Sequence, residues 1–313
     1  MKTPSENFLD IFNAIDFEKI KDHPNILIAA NFWDAERYAA AKTCYKLMRQ
    51  IDDLIDDHKA SNLEISEKEQ ASFLTEVETW IGQIIHQTEN DLVQKELLDT
   101  FKRFRIPVWP MEAFAKSMIY DIHHDGFPDL HTFLEYSEGA SVAPASIFVH
   151  ICGIKEVDGR YESPDFDVRE AARPCAIFSY LVHIIRDFQK DQFNHLNYLA
   201  DDLVASNGLD RRQLSEIAHG GPVTDDFRNL IRSYCEVADV YRQKTYQVIQ
   251  EISPYLQPRY RLSLEIIFNL YLMVFERIDV VKGNFTAEEL NPTPEEVRKR
   301  VYDIIQDFMI KAS

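Results

Sequence analysis

The sequence predicts an all-α protein, on three observations. Apolar residues recur at spacings of three and four along most of the chain. Only 9 glycines and 13 prolines punctuate 313 residues, which suits long helices better than turn-rich sheets. No segment reads as a sheet. In order, helices are expected near residues 6–20, 34–58, 66–88, 91–104, 110–124, 129–153, 168–192, 224–252, 256–281 and 294–310. Breakers separate several of them: Pro107 and Pro110, Gly126-Phe127-Pro128, Ser163-Pro164 and Gly220-Gly221-Pro222. Asn291-Pro292-Thr293-Pro294 opens the last helix. The stretches DGRYESPDF (158–166) and 201–226 are expected as loops, too short and too unbiased to be domain linkers. Residues 1–313 are therefore expected to form a single domain, and 45% hydrophobic residues can supply its core.

Charge and cysteine usage narrow the function classes. The formal charge is −18, from 34 basic and 52 acidic residues, which argues against nucleic acid or a strongly anionic membrane as partner. A phosphorylated substrate would need local help from metal ions and arginines. Cys44, Cys152, Cys175 and Cys235 are scattered without a CxxC pair, which favours a reducing, cytoplasmic compartment. The polar start MKTPSENFLD carries no signal peptide pattern. The longest uncharged runs, 139–154 and 266–275, fall short of the roughly 20 residues that span a bilayer. A soluble protein is expected, with peripheral contact at a membrane surface left open.

Two aspartate pairs carry the chemistry: Asp52/Asp56 in RQIDDLIDDH and Asp187/Asp191 in HIIRDFQKDQ. Residues four apart share a helix face, so each pair projects two carboxylates in nearly one direction. On a wheel of 100° per residue, Cys44, Met48, Ile51 and Ile55 form an apolar stripe. Tyr45, Arg49, Asp52 and Asp56 lie beside it, while Lys46, Gln50, Asp53 and Asp57 make a third, wholly polar stripe. Burial along the first stripe holds the second at the edge of the core and leaves the third in water. In the second motif Ile177, Leu181, Ile184, Ile185 and Phe188 share one face. Tyr180, His183, Asp187 and Asp191 flank it, and Arg186 and Lys190 point elsewhere. Either pair alone fits a solvated helix face. Both together, each bordering an apolar wall, point to Mg²⁺ ions gripping a diphosphate at the mouth of a greasy cavity.

Four segments carry a family resemblance: YKLMRQIDDLID (45–56), FAKSMIYDIHHDGFPDLHTFLEYSEGASVAPA (114–145), HIIRDFQKDQFNHLNYLADDL (183–203) and, more weakly, LYLMVFERID (270–279). They resemble the squalene/phytoene synthase family, trans-isoprenoid synthases that join two prenyl diphosphates head to head. The resemblance implies an isoprenoid-synthase helical bundle around a central hydrophobic cavity. It assigns Asp52, Asp56, Asp187 and Asp191 to Mg²⁺, with Mn²⁺ as the alternative metal, and leaves NADPH dependence open. Tyr45, Arg49 and Arg186 match diphosphate contacts, and Tyr136 matches a tyrosine near the first carbocation. With Asp52 and Asp187 it makes up the implied catalytic set. Asp121, Tyr180 and His183 fall at substrate-binding positions. The substrate implied is a farnesyl or geranylgeranyl diphosphate, coupled 1–1′ through a cyclopropylcarbinyl diphosphate, with no obligate protein partner.

The chemistry suits these residue types. A departing pyrophosphate needs metal ions and arginines, and the cation left behind needs a dry cavity with electron-rich walls. Phe148, Phe178, Phe268, Tyr271 and Phe275 are candidates for such walls, or for ordinary core packing. The chain departs from the family at Ile26, Tyr180, His183 and Lys190, and in its reaction-centre helix at Glu138 and Pro144, where Pro144 should introduce a kink. His123 and His124 point about 100° apart on a helix, so they read as an exposed pair. Cys152 and Cys175 read as small core residues, and Ser141 and Ser146 lack a partnered histidine. Two other readings stand beside the enzyme: a non-catalytic relative acting in assembly or lipid binding, and a prenyltransferase or cyclase with another product. A di-iron bundle lacks its Glu-x-x-His motif.

Overall fold

The computed structural model describes residues 8–20, 24–61, 65–88 and 95–312. Residues 6–7 and 91–94 of the expected helices, and most of the polar start, lie outside them. In chain order the helices are α1 (Phe8–Ala14), α2 (Pro24–Ala30), α3 (Ala35–Ser61), α4 (Glu67–His86), α5 (Lys95–Phe104), α6 (Trp109–His123), α7 (Leu130–Ser137) and α8 (Ala143–Gly153). A π-helical segment, Glu138–Val142, joins α7 to α8. Then come the strands β1 (Lys155–Val157) and β2 (Arg160–Glu162), and the helices α9 (Val168–Arg186), α10 (Phe188–Phe193), α11 (Asp201–Ser206) and α12 (Arg211–Ala218). The chain closes with α13 (Asp225–Ile252), α14 (Pro258–Phe275), α15 (Ala287–Leu290) and α16 (Pro294–Ala312).

Most long helices stand where periodicity puts them, because their ends are chemically marked. Asp34 accepts the backbone N–H groups of Glu36 and Arg37 at the start of α3, and Ser66 and Glu69 form a capping box at α4. Three expectations need correction. The stretch 155–162 is an antiparallel hairpin rather than a loop, paired Lys155 to Glu162, Glu156 to Tyr161 and Val157 to Arg160. Its Asp158-Gly159 turn has φ of 50° and 73°, the left-handed geometry that tight hairpins require. The region 201–226 holds α11 and α12, short helices whose periodic faces span too few residues to stand out. The helix expected over 6–20 ends at Ala14, and that over 256–281 ends at Phe275.

The other two departures lie at the aspartate and reaction-centre helices. Residues 168–192 are interrupted at Asp187, whose φ and ψ of −94° and 4° end α9 and begin α10. Aspartate competes for local hydrogen bonds and favours helix ends, and this one is engaged by its own neighbours. Residues 129–153 follow one path, but the Ala143 N–H bonds to the Glu138 carbonyl, five residues back. Pro144 lacks an N–H and its ring crowds the carbonyl four residues earlier, so the widened turn relieves what a regular helix could not. Gly139 is required within that turn. A Cβ there would overlap the Ala113 carbonyl oxygen and Ser117 Oγ of α6.

Buried residues form two clusters. One unites α1–α6 with α8, α16 and one face of α14; the other unites α7 and α9–α13 with the face of α14 that bears Phe268, Leu272 and Val274. A polar knot fastens the first. Arg37, 5% exposed, donates Nε to the Ile151 carbonyl (3.2 Å) and Nη2 to that of Ile154 (3.1 Å). Its Nη1 reaches Asp34 (2.8 Å) and Tyr260 Oη (2.6 Å), and Tyr260 donates to Asp34 at 2.7 Å. The knot ties α3 to the end of α8 and the start of α14. Arg37→Met should cost roughly 3–5 kcal/mol, because it removes the ionic partner of Asp34 and leaves the Ile151 and Ile154 carbonyls without their buried donor. Chemical denaturation reads the loss.

Candidate functional site

The stripe on α3 is borne by geometry as well as by sequence. Arg49 Nη1 donates to Asp52 Oδ2 at 2.7 Å, and its Nη2 also engages Asp53. Asp53 is therefore held by the same guanidinium as Asp52, not merely solvated as its wheel position suggested; Asp57 is exposed. Tyr45 and Asp56 complete the stripe, both partly buried. Asp56 has no ion-pair partner among the described residues. Burial, then the charges of Asp52 and Asp121, push its carboxyl up to about 8. Burial also raises Asp52, outweighing the attraction of Arg49 and His183.

The second pair is divided more sharply. Burial opposes a charge on Asp187, yet its hydrogen bonds from Arg186 and His183 prevail and hold it well below the usual carboxylate range. Arg186 donates Nε to Oδ1 (2.6 Å) and Nη2 to Oδ2 (2.9 Å), and His183 Nε2 stands 2.7 Å from Oδ2. Arg186 thus belongs to the site, although its wheel position pointed away. Its long side chain folds back onto the neighbouring carboxylate, which a fixed angular step does not allow for. Lys190 is exposed, as its position implied. Asp191 lies one turn beyond Asp187 and has no ion-pair partner among the described residues. Burial and the Asp187 charge push it up to about 8.

A cluster of tyrosines links the two pairs. Tyr136 donates to Asp121 Oδ2 at 2.6 Å, and Lys59 Nζ stands 3.9 Å from Asp121 Oδ1. Burial raises Asp121 to about 7, against the pull of Lys59 and Tyr136. The Tyr136 ring lies 4.9 Å from Phe127, 5.5 Å from Tyr120 and 6.3 Å from Tyr180. Tyr198 stands 6.2 Å from Tyr180. Burial pushes the hydroxyls of Tyr180 and Tyr198 well up; Tyr180 sits in the field of Asp121, Asp52 and Asp56, Tyr198 in that of Asp56, Asp121 and Asp191. One electrostatic neighbourhood therefore holds both pairs.

Sequence reasoning missed Lys59 and Tyr198. Lys59 continues the stripe, three residues beyond Asp56, and was legible there. Tyr198 lies between α10 and α11, where no periodicity marks it. Of the aromatic residues weighed as cavity walls, Phe178 packs on Phe268 (5.6 Å) and Phe275 (5.5 Å) in one cluster. Phe148 lies in the other cluster, 4.5 Å from Trp33. His123 and His124 are both exposed, and the His124 ring stacks on Tyr120. A pocket of about 430 Å³ is lined by Tyr120 and Tyr136 together with Ser117 and Gly139, and one of about 320 Å³ lies at the end of α5.

The donor set suits a hard divalent cation that shares its shell with a ligand. Both pairs offer only oxygen, and no three His, Cys, Asp or Glu side chains among the described residues form a closed cage. Magnesium is commonly held by one or two carboxylates, with waters and substrate phosphates completing the octahedron. Two partly buried carboxyls pushed up to about 8 hold their protons unless a cation takes the proton's place, which a divalent metal would do. The linkage has a definite sign: a raised folded-state value costs stability progressively as pH climbs from about 4 to 8. Asp56→Asn in EDTA should match the parent near pH 4 and exceed it by more than about 1 kcal/mol at pH 8. Denaturant melts across that range measure the difference.

Comparison with known proteins follows the geometry. Residues 21–299 match the squalene/phytoene synthase family. Among solved structures, the chain is similar to a dehydrosqualene synthase in complex with ligand, with a TM-score of 0.71, 15% identity and 98% of each chain covered. It is also similar to the squalene synthase HpnC from Alicyclobacillus acidocaldarius, with a TM-score of 0.53 and 10% identity, over 90% of this chain and 98% of that one. At such identities these likenesses show the fold, the all-α isoprenoid-synthase bundle. No curated protein sequence matches. The chain belongs to the squalene/phytoene synthase family, whose members are prenyltransferases.

Proposed function

We propose that this chain condenses two prenyl diphosphates head to head, from C1 to C1′, by way of a cyclopropylcarbinyl diphosphate. The observation that carries the reading is the convergence of both aspartate pairs on one tyrosine-lined neighbourhood. Asp52, Asp56 and Asp191, with Asp187, would hold divalent metal, Mg²⁺ or Mn²⁺. Bound there, the metal neutralises diphosphate charge as it leaves. Arg49 and Lys59 stand beside the first pair, and Arg186 beside the second, with cationic groups suited to diphosphate oxygens. Tyr45 and His183 border that charge. Tyr136, Tyr180 and Tyr198 supply π faces there, which favour a carbocation over water. Tyr136, hydrogen-bonded to Asp121, has its hydroxyl fixed and its proton held. A C15 or C20 substrate fits the family; the choice between them, and any NADPH-dependent step, belongs to the product.

A second reading has one observation in its favour. Both oxygens of Asp187 are already taken by Arg186 and His183, which would weaken the second metal position and suit a lipid-binding relative without catalysis. Purified protein with Mg²⁺ and farnesyl or geranylgeranyl diphosphate separates the two. Pyrophosphate release and a C30 or C40 product are expected, and Asp52→Ala or Asp187→Ala should each lower kcat by roughly 10²–10³-fold. Absence of pyrophosphate from every C10–C20 prenyl diphosphate sinks the catalytic reading.

A further inference from the structure

The chain pairs its arginines thoroughly, as 52 acidic residues against 34 basic ones would suggest. Arg37, Arg49, Arg103, Arg169, Arg173, Arg186, Arg211, Arg212, Arg242, Arg261, Arg277 and Arg300 each meet a carboxylate. Arg228, Arg232 and Arg259 donate hydrogen bonds, and Arg298 lies over Phe12 and Phe17. Among the described residues, only the guanidinium groups of Arg105 and Arg160 have no hydrogen bond, ion pair or ring contact. The two lie 55 residues apart in sequence, yet line the same pocket of about 320 Å³.

That pocket lies between the end of α5 and the β1–β2 hairpin, in a chain whose net charge is −18. Lys102 joins the two arginines in its wall. The pocket's acids do not neutralise them: Glu36 is occupied by Arg103 and by Tyr161 Oη, leaving Glu156 against three cations. The walls are well supported. The Tyr161 ring is stacked on Phe104 at 4.8 Å, which fixes the hairpin on α5. Arg105 itself follows α5 at φ 52°, a left-handed conformation uncommon for a residue with a side chain. Arg105 and Arg160, both exposed, share the wall of one concavity, where an anion would meet two like charges. Their planar forks match phosphate oxygens in pairs.

We propose that this pocket is a second anion site, separate from the aspartate pairs, that takes a phosphate or diphosphate group. The group comes either from a free phosphorylated molecule or from the headgroup of an anionic lipid. The inference does not depend on what the aspartate pairs bind.

The test uses the full chain in EDTA, where the metal-free aspartate pairs repel anions. Titration calorimetry with inorganic pyrophosphate should show one site. Arg105→Gln with Arg160→Gln should weaken it at least about tenfold. The charge-matched pair Arg212→Gln with Arg232→Gln should leave it unchanged. In parallel, sedimentation with phosphatidylcholine vesicles, with and without phosphatidylglycerol, reads the lipid source through the same variants. Loss of pyrophosphate binding in the first variant supports a soluble ligand. Loss confined to phosphatidylglycerol vesicles supports a headgroup. If the two double variants behave alike in both assays, or the parent binds neither probe, the proposal is wrong.

Discussion

The burial of four acidic groups is the constraint around which the rest of this molecule is arranged. Asp52, Asp56, Asp121 and Asp191 are all driven toward protonation by burial, with neighbouring carboxylates adding to it at Asp56, Asp121 and Asp191, and each would turn to water if the helices allowed it. They do not, because apolar packing clamps α3, α6 and α9, and the Arg37 knot fastens α3 further. The cost is relieved unevenly. Arg49 steadies Asp52, Lys59 and Tyr136 steady Asp121, and two partners hold Asp187 ionised. Asp56 and Asp191 are left as the two least compensated groups, one on each wall.

The core supplies the rigidity that this arrangement needs. A carboxylate that could swing to solvent would lose its raised pKa and any selectivity for a doubly charged partner. The aromatic residues between the walls add a second constraint. Phe127, Phe133, Tyr136 and Tyr180 pack edge to face or stacked, so the hydroxyls of Tyr136 and Tyr180 have few directions in which to point.

Much of this was legible in the sequence because it rests on periodicity. The stripe Tyr45, Arg49, Asp52, Asp56 on α3 needs only a helix of 3.6 residues per turn. The assignment of Asp53 to water failed for a reason no wheel contains: Arg49 is long and flexible enough to serve two adjacent carboxylates. Arg186 escaped in the same way. The break at Asp187 and the hairpin at 155–162 are set by local backbone chemistry over three to six residues, too short for a repeating pattern to register. Tyr198 is held by tertiary contacts alone, and nothing in its neighbours announces it. Pro144 did signal a disturbance, but its form, a widened turn with Gly139 against α6, depends on a helix contacted from elsewhere in the chain.

That widened turn has a consequence for length. A π segment accommodates one residue more than a regular helix over the same rise, so it keeps the faces of α7 and α8 in phase despite the added residue. Each residue advances a regular helix by about 100°. Winding the same residues as a regular helix would turn the face bearing Ser146 and His150 against that bearing Tyr136 by about that angle. The tyrosine would turn from Asp121, or α8 from its seat against α3 and α6. The wide turn thus absorbs one surplus residue, so that two helical faces, each needed by a different core, keep their alignment.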